Sequence, residues 1–296
     1  MTSPHRSTIT LLVTLLVAGG LAGCSGSATA HGSTTTTAPL PYTAFTFDPA
    51  NFVDPTTSTN KLLPLRPGTQ WVRSGTTEVG GRKVPHSAIS TMTDVVREID
   101  GVKVVAMLDQ STDSGEVSEV GFDYFALDKD GNVWIMGGYT EDYQGGEFTN
   151  ANDAWLGAET GGVPGVLMPG VVRLGTRRWA IAAVSAADKP SLGEPVQVGI
   201  RKCVAFGCFD NVTVIREGEF KAIDNEFKYY APGVGVIFND PKQASLHQDS
   251  FELVNVIQLS AGGLAEMSQV VLDLEEHART TVPDVYGHAK RSERQS

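Results

Sequence analysis

The chain has 296 residues, 41% of them hydrophobic, with 32 glycines and 15 prolines, enough to bury one substantial core and too apolar for general disorder or a collagen repeat. Asp and Glu total 34 against 23 Lys and Arg, a formal net charge of −11. That sign excludes nucleic-acid backbones as partners and argues against direct adhesion of the body to anionic lipid.

The apolar run 9–22 is too short and too rich in glycine for a stable membrane span, so it reads as the core of a signal peptide. It ends in Leu21-Ala22-Gly23-Cys24, which resembles the lipobox of bacterial lipoproteins. That resemblance implies a diacylglyceryl group on Cys24, cleavage before it, and a lipid anchor on the extracytoplasmic face of the cell membrane. Residues 1–23 are then the signal peptide, and the mature chain carries about −12 charges because Arg6 is lost with them. Residues 24–47 are read as the lipidated cysteine followed by a Ser/Thr-rich tether too poor in large apolar residues to order itself.

From Leu62 onward the apolar pattern has period two, broken by polar turns about a dozen residues apart. Strands are expected over 70–79, 88–99, 102–109, 117–127, 133–137, 177–186, 196–204, 209–217, 226–230, 234–239 and 251–259, with Asp100-Gly101 and Asp113-Ser114-Gly115 as hairpin turns. The fold class is mainly β: one antiparallel meander over 48–279, curled into a barrel, half-barrel or sandwich. Several strands are apolar on both sides, which calls for two covered faces. One cover is the irregular stretch 145–175. The other is a C-terminal amphipathic helix over 263–278, with Leu264, Met267, Val270, Val271 and Leu274 on its apolar stripe and Glu266, Asp273, Glu275 and Glu276 away from it. Residues 280–296 form a polar tail, expected to fray.

Cys203 and Cys208 flank a four-residue loop between strands, which in an exported protein favours a disulfide over a redox pair or half a zinc site. Asp128-Lys129-Asp130-Gly131-Asn132 begins like a calcium loop, but its glycine is fourth and no glutamate follows in register, so a hairpin turn is the better reading and no metal site is expected. No Gly-x-Ser-x-Gly, Ser-x-x-Lys or His-Glu-x-x-His occurs, so no hydrolase machinery is visible and no cofactor is implied. The enzymatic option rests on carboxylates: Asp123 in mid-strand, with Glu141 and Asp142 beyond Trp134 and Tyr139, as acid and base of glycoside chemistry. The binding option rests on Trp134, Tyr139, Trp155, Met168 and Trp179, placed in or beside the irregular stretch as candidate lining of a pocket mouth.

Four stretches, taken in order, resemble a largely uncharacterised family of bacterial lipoproteins and secreted β-rich proteins. They are Leu63-Pro64-Leu65-Arg66-Pro67-Gly68-Thr69-Gln70-Trp71, Asp128-Lys129-Asp130-Gly131-Asn132-Val133-Trp134, Pro164-Gly165-Val166-Leu167-Met168-Pro169 and Tyr229-Tyr230-Ala231-Pro232-Gly233-Val234-Gly235. The resemblance covers 48–259 and implies no particular reaction; Cys203 and Cys208 depart from the family pattern. In shape alone, the expected sheet is similar to LolA- and LolB-type carriers, which hold acyl chains between a half-barrel and a helical lid. Three functions follow as expectations: a non-catalytic lipoprotein binding an apolar or amphiphilic ligand inside the curled sheet, a carbohydrate-active enzyme, or an envelope assembly factor.

Overall fold

The computed structural model describes residues 41–218, 226–241 and 249–295. Cys24, the expected signal peptide and most of the expected tether lie outside the described residues. The first half builds β1 (Phe52–Val53), β2 (Thr69–Val79), β3 (Arg82–Ile99), β4 (Val102–Asp113), β5 (Glu116–Asp128) and β6 (Val133–Gln144). Short strands follow: β7 (Glu147–Asn150), β8 (Trp155–Leu156), β9 (Gly165–Met168) and β10 (Trp179–Ala180). The second half adds β11 (Leu192–Val204), β12 (Gly207–Gly218), β13 (Glu226–Ala231), β14 (Gly235–Pro241) and β15 (Ser250–Gln258). The chain ends in α1 (Ala261–Thr281), α2 (Pro283–Tyr286) and β16 (Glu293–Arg294).

Local chemistry accounts for the long hairpins. Gly80-Gly81, Asp100-Gly101 and Ser114-Gly115 each have two successive positive φ angles, the two-residue turn whose twist matches that of the flanking strands. All main pairings are antiparallel, in the order β10-β11-β12-β13-β14-β15-β2-β3-β4-β5-β6-β7, so the two halves of the meander join where β15 pairs β2. The expected strand over 177–186 shrinks to β10 and one isolated bridge, Val163 to Ala183, because the chain there packs as the return arm of a loop against β9.

The sheet is strongly curled. In a flat sheet β13 and β4 would stand five strand spacings, about 24 Å, apart. Lys228 of β13 nevertheless lies close enough to act electrostatically on Asp109 of β4 and Asp123 of β5. At the seam, the Trp179 indole N–H beside β11 donates to Val166 O beside β6 at 2.9 Å. Among the described residues no two named strands pair across this seam, where the Val163–Ala183 bridge alone joins the arms beside β9 and β10, so this is a curled meander.

Residues 60–68 cross one end of the curl. Asn60 Nδ2 donates to Gly131 O at 2.9 Å and to Met168 O and Pro169 O at 3.3 Å, while its Oδ1 accepts from the amides of Leu62 and Leu63. Gly233 N then donates to Lys61 O, Gly68 N to Met92 O, and Trp71 Nε1 to Val234 O at 2.6 Å. The four stretches singled out in the sequence therefore meet here, as the device that ties the turns together. Within the turn after β5, the Asp128 carboxylate gathers the donors: Oδ1 accepts from the amides of Asp130 and Asn132, and Oδ2 from Asn132 Nδ2 and Trp134 Nε1. With four donors on one buried carboxylate, the run 128–132 is a hairpin turn.

Three expectations about coverage need correction. Residues 41–47, assigned to the tether, are docked: Thr43 bonds Arg178 O and Ala180 N, and Phe45 and Phe47 pack on Trp134. The tail does not fray, because Arg294 forms a two-point bond with Asp94 and Tyr286 is fully buried with its hydroxyl on Gly138 O. Helix α1 turns Glu275 inward, not outward, since that carboxylate accepts from Tyr124 Oη, Arg279 and the amide of Ser292. α1 lies on the outer face of β3, β4 and β5, the face carrying Tyr124 and Tyr139. It is not a lid over the inner face.

Candidate site on the inner face of the curled sheet

Register decides which side chains share the inner face. Arg73, Ala88, Ser111, Glu119 and Asp142 stand in one row; Trp71, Ser90, Asp109, Gly121 and Thr140 in the next; then Met107, Asp123 and Gly138. From across the curl come Lys228 and Tyr230 of β13 and Glu217 of β12. This is a cluster of opposite charges recessed among strands, with apolar residues such as Trp71, Phe125 and Ile237 buried near it.

Its bonding is directional. Arg73 donates from Nη1 to Ser90 Oγ at 2.8 Å and from Nε to Val236 O at 3.1 Å, and Ser90 Oγ donates to Asp109. Lys228 donates to Glu217 at 2.9 Å, and Tyr230 Oη to the same carboxylate at 2.5 Å. Burial lowers the Arg73 guanidinium to about 10, against the favourable charge of Asp109. Burial likewise raises Asp109, although Ser90, Arg73 and Lys228 pull it down. Asp123 is pushed up to about 7 by burial and then by Asp109, with Lys228 opposing. Glu119 is pushed up to about 8 by burial and by Asp142 directly across the strand pair. With Asp123 raised to about 7 and Glu119 to about 8, these two carboxyls keep protons in part at neutral pH and can donate as well as accept hydrogen bonds.

Space for Asp123 is made by its cross-strand partner. A β-carbon on Gly138 would collide with Asp123 Oδ1, so glycine there lets the carboxyl lie over the strand. At the far edge, His86 is clamped between Asp113, at 2.9 Å from Nδ1, and Asp249, at 3.5 Å from Nε2. Burial would lower this imidazole, but the Asp113 bond and the charges of Asp249, Asp113 and Glu119 raise it above its ordinary value.

The sequence-predicted residues are divided by this geometry. Asp123 and Asp142 share the inner face, but Glu141 alternates to the outer one. There Glu141 is 1% exposed and accepts from Tyr139 Oη at 2.8 Å, Tyr143 Oη at 2.5 Å and, at 2.6 Å, His277 Nδ1 of α1. It anchors the helix. Trp134, Tyr139, Trp155, Met168 and Trp179 are all buried: Trp134 beneath Phe45, Phe47 and Phe52, Tyr139 against Phe122 and Tyr286, Trp179 on Val166 O. Trp179 also touches a shallow pocket of about 320 Å³ that it shares with Phe45, Val171 and Arg177. Cys203 and Cys208 are bonded as a disulfide across the β11–β12 turn. Among the described residues, no group of three or more His, Cys, Asp and Glu side chains is arranged to hold a metal ion, and no helix is long and apolar enough to cross a membrane.

Arg73, Asp109, Glu119, Glu217, Lys228 and Tyr230 were not among the site residues read from the sequence. The available signal was phase: Arg73 alternates with Trp71, and Asp109 follows the apolar run 104–108, so each falls in step with buried neighbours.

No protein-family model matches the chain, nor does any curated protein or solved structure.

Proposed function

We propose that this chain is a membrane-tethered extracytoplasmic lipoprotein without catalytic activity, and that the inner face of its curled sheet binds a small amphiphile. The observation that carries the reading is the acidic recess itself. Half-buried carboxyls raised to about 7 and 8 beside Arg73 and Lys228 are unfavourable for folding, and a ligand that brings hydrogen bonds or positive charge would relieve that cost. The lining narrows the ligand: its polar end, cationic or rich in hydroxyls, meets Asp109, Asp123 and Glu119, and an apolar portion lies toward Trp71 and Phe125. A pure acyl chain fits this surface poorly. Native mass spectrometry of the chain, as purified and after addition of long-chain alkylamines and glycolipids, tests the reading. A bound amphiphile whose retention drops at least tenfold in Asp109→Asn/Asp123→Asn supports it; a chain that carries none of them rejects it.

One observation favours a second reading. Asp123 raised to about 7 by burial and by the charge of Asp109 is what general acid catalysis on a glycoside needs. Turnover of envelope polysaccharide that disappears in Asp123→Asn would establish it in place of binding alone.

A further inference from the structure

The two most exposed large apolar side chains among the described residues are Val171 and Leu174, at 62% and 65%. Both sit on the tip between β9 and β10. The tip is a built turn: Thr176 N donates to Arg173 O, Thr176 Oγ1 accepts from Arg173 N at 3.1 Å, and Gly175 supplies the positive φ at its third position. Leu174 is thereby presented at the apex with Arg173 beside it.

Charge sets this segment apart. Residues 160–187 contain no Asp or Glu in a chain with 34 of them, and three arginines, Arg173, Arg177 and Arg178, fall within six positions of the tip. Arg173 and Arg177 are exposed, and exposed Lys129 lies on the neighbouring turn, where Gly170 N bonds Asn132 Oδ1. Asp130 lines the adjoining pocket with Arg177, so an acidic side chain faces this group there. A local basic, apolar-tipped surface thus stands on a body whose overall charge is acidic.

The described chain also begins here. Pro41 O accepts from Arg178 Nε at 2.9 Å, and Thr43 pairs with Arg178 and Ala180. Pro41 stands only seventeen positions after Cys24, and such a span reaches at most about 60 Å even if fully extended.

We propose that this tip is a membrane-docking surface, with Val171 and Leu174 entering the interface of an anionic bilayer and Arg173 and Arg177 meeting lipid phosphates. The proposal rests on the lipoprotein reading, since an anchor at Cys24 confines the tip near the bilayer and raises its effective concentration there. Two apolar side chains and two or three cations bind weakly alone but suffice once tethered. The arrangement also orients the body. Glu119 lies nine residues up β5 from the turn beside the tip, about 30 Å along the strand, so the acidic recess faces away from the bilayer.

The test uses the mature chain coupled through Cys24 to a maleimide lipid in vesicles of phosphatidylglycerol and phosphatidylcholine; Cys203 and Cys208 are occupied by their disulfide. Coupling imposes the anchor, so this result does not depend on lipidation in the cell, which the mass of the protein from native membranes reads separately. All four native tryptophans are at most 7% exposed, so a fifth placed at the tip by Leu174→Trp reports selectively. Insertion to a depth of about 5–10 Å would shift its emission to the blue and let brominated lipid remove roughly half of it. Val117→Trp, at the opposite end of β5, should stay unquenched. Hydrogen exchange on the unsubstituted chain should slow over 170–178 on anionic vesicles, and less on phosphatidylcholine alone. Emission from Leu174→Trp unchanged by vesicles, equal quenching of Val117→Trp, or unchanged exchange over 170–178 would overturn the proposal.

Discussion

Replacing Asp123 by asparagine tests the central physical claim about the recess. The side chain keeps its shape over Gly138 but loses its titration. In the native protein the Asp123 carboxyl is raised from the ordinary aspartate value of 3.8 to about 7. Between those values the unfolded chain is ionised while the folded chain keeps its proton. Folding therefore binds more protons, and stability falls as pH rises. The contribution is intact below pH 4 and is lost once pH has passed about 7. At 1.36 kcal/mol per pH unit, the interval from pH 5 to pH 7 corresponds to about 3 kcal/mol, reduced toward 1–2 kcal/mol by solvent reaching the recess. Urea unfolding of both proteins at pH 5 and pH 8.5 provides the measurement. Groups elsewhere titrate alike in the two proteins and cancel in the difference between them. The variant should gain about 1–3 kcal/mol on the native chain between the two pH values. If that difference moves by less than about 0.5 kcal/mol, Asp123 titrates normally and the recess is not a site of stored electrostatic cost.

Gly138→Ala should drive Asp123 off the strand and cost about 1–3 kcal/mol by overpacking, and a thermal melt paired with the Asp123→Asn background should show the two changes to be non-additive. Asp128→Ala removes the acceptor for four donors, one of them the Trp134 indole; a loss of about 3 kcal/mol or more is expected in urea, against little change for neighbouring Asp130→Ala, which is exposed. Truncation after Thr281 should strand Asp94 and open the pocket filled by Tyr286, lowering the melting temperature by about 10 °C. Cys203→Ser/Cys208→Ser should cost only about 2 kcal/mol, because the closed loop is short; a loss twice that size would show the hairpin to be a folding element and not a local pin.

The hairpins are readable along the chain because each is local. The apolar segments 102–109 and 117–127, with the Ser114-Gly115 turn between them, specify a strand pair. The hairpin role of 128–132 was legible for the same reason, since all the donors to Asp128 come from within six residues of it. What alternation cannot supply is the side to which a whole sheet curls. Asp123 and Glu141 are both carboxylates beside aromatics, yet the register of β5 and β6 sends one into the recess and the other under α1. The aromatic candidates went the same way: Trp134 and Trp179 look like pocket lining in a loop-rich stretch, and become core once 41–47 folds back over them.

Composition and periodicity alone determined that this is a mainly β, antiparallel chain with a C-terminal amphipathic helix and a disulfide-pinned turn, because those features depend on neighbours a few residues apart. Only the tertiary structure decided that charges from β2, β4, β5, β12 and β13 share one recess, that the helix covers the outer face, and that the tail is docked. The reason is distance along the chain: Arg73 and Tyr230 stand 157 positions apart, and Asp94 and Arg294 stand 200 apart. Their meeting is set by the curl of the whole sheet, which no short window of sequence contains. The net charge of −11 shows the same division, since it predicted an acidic body but not the acid-free, arginine-bearing tip that folding places beside the start of the described chain.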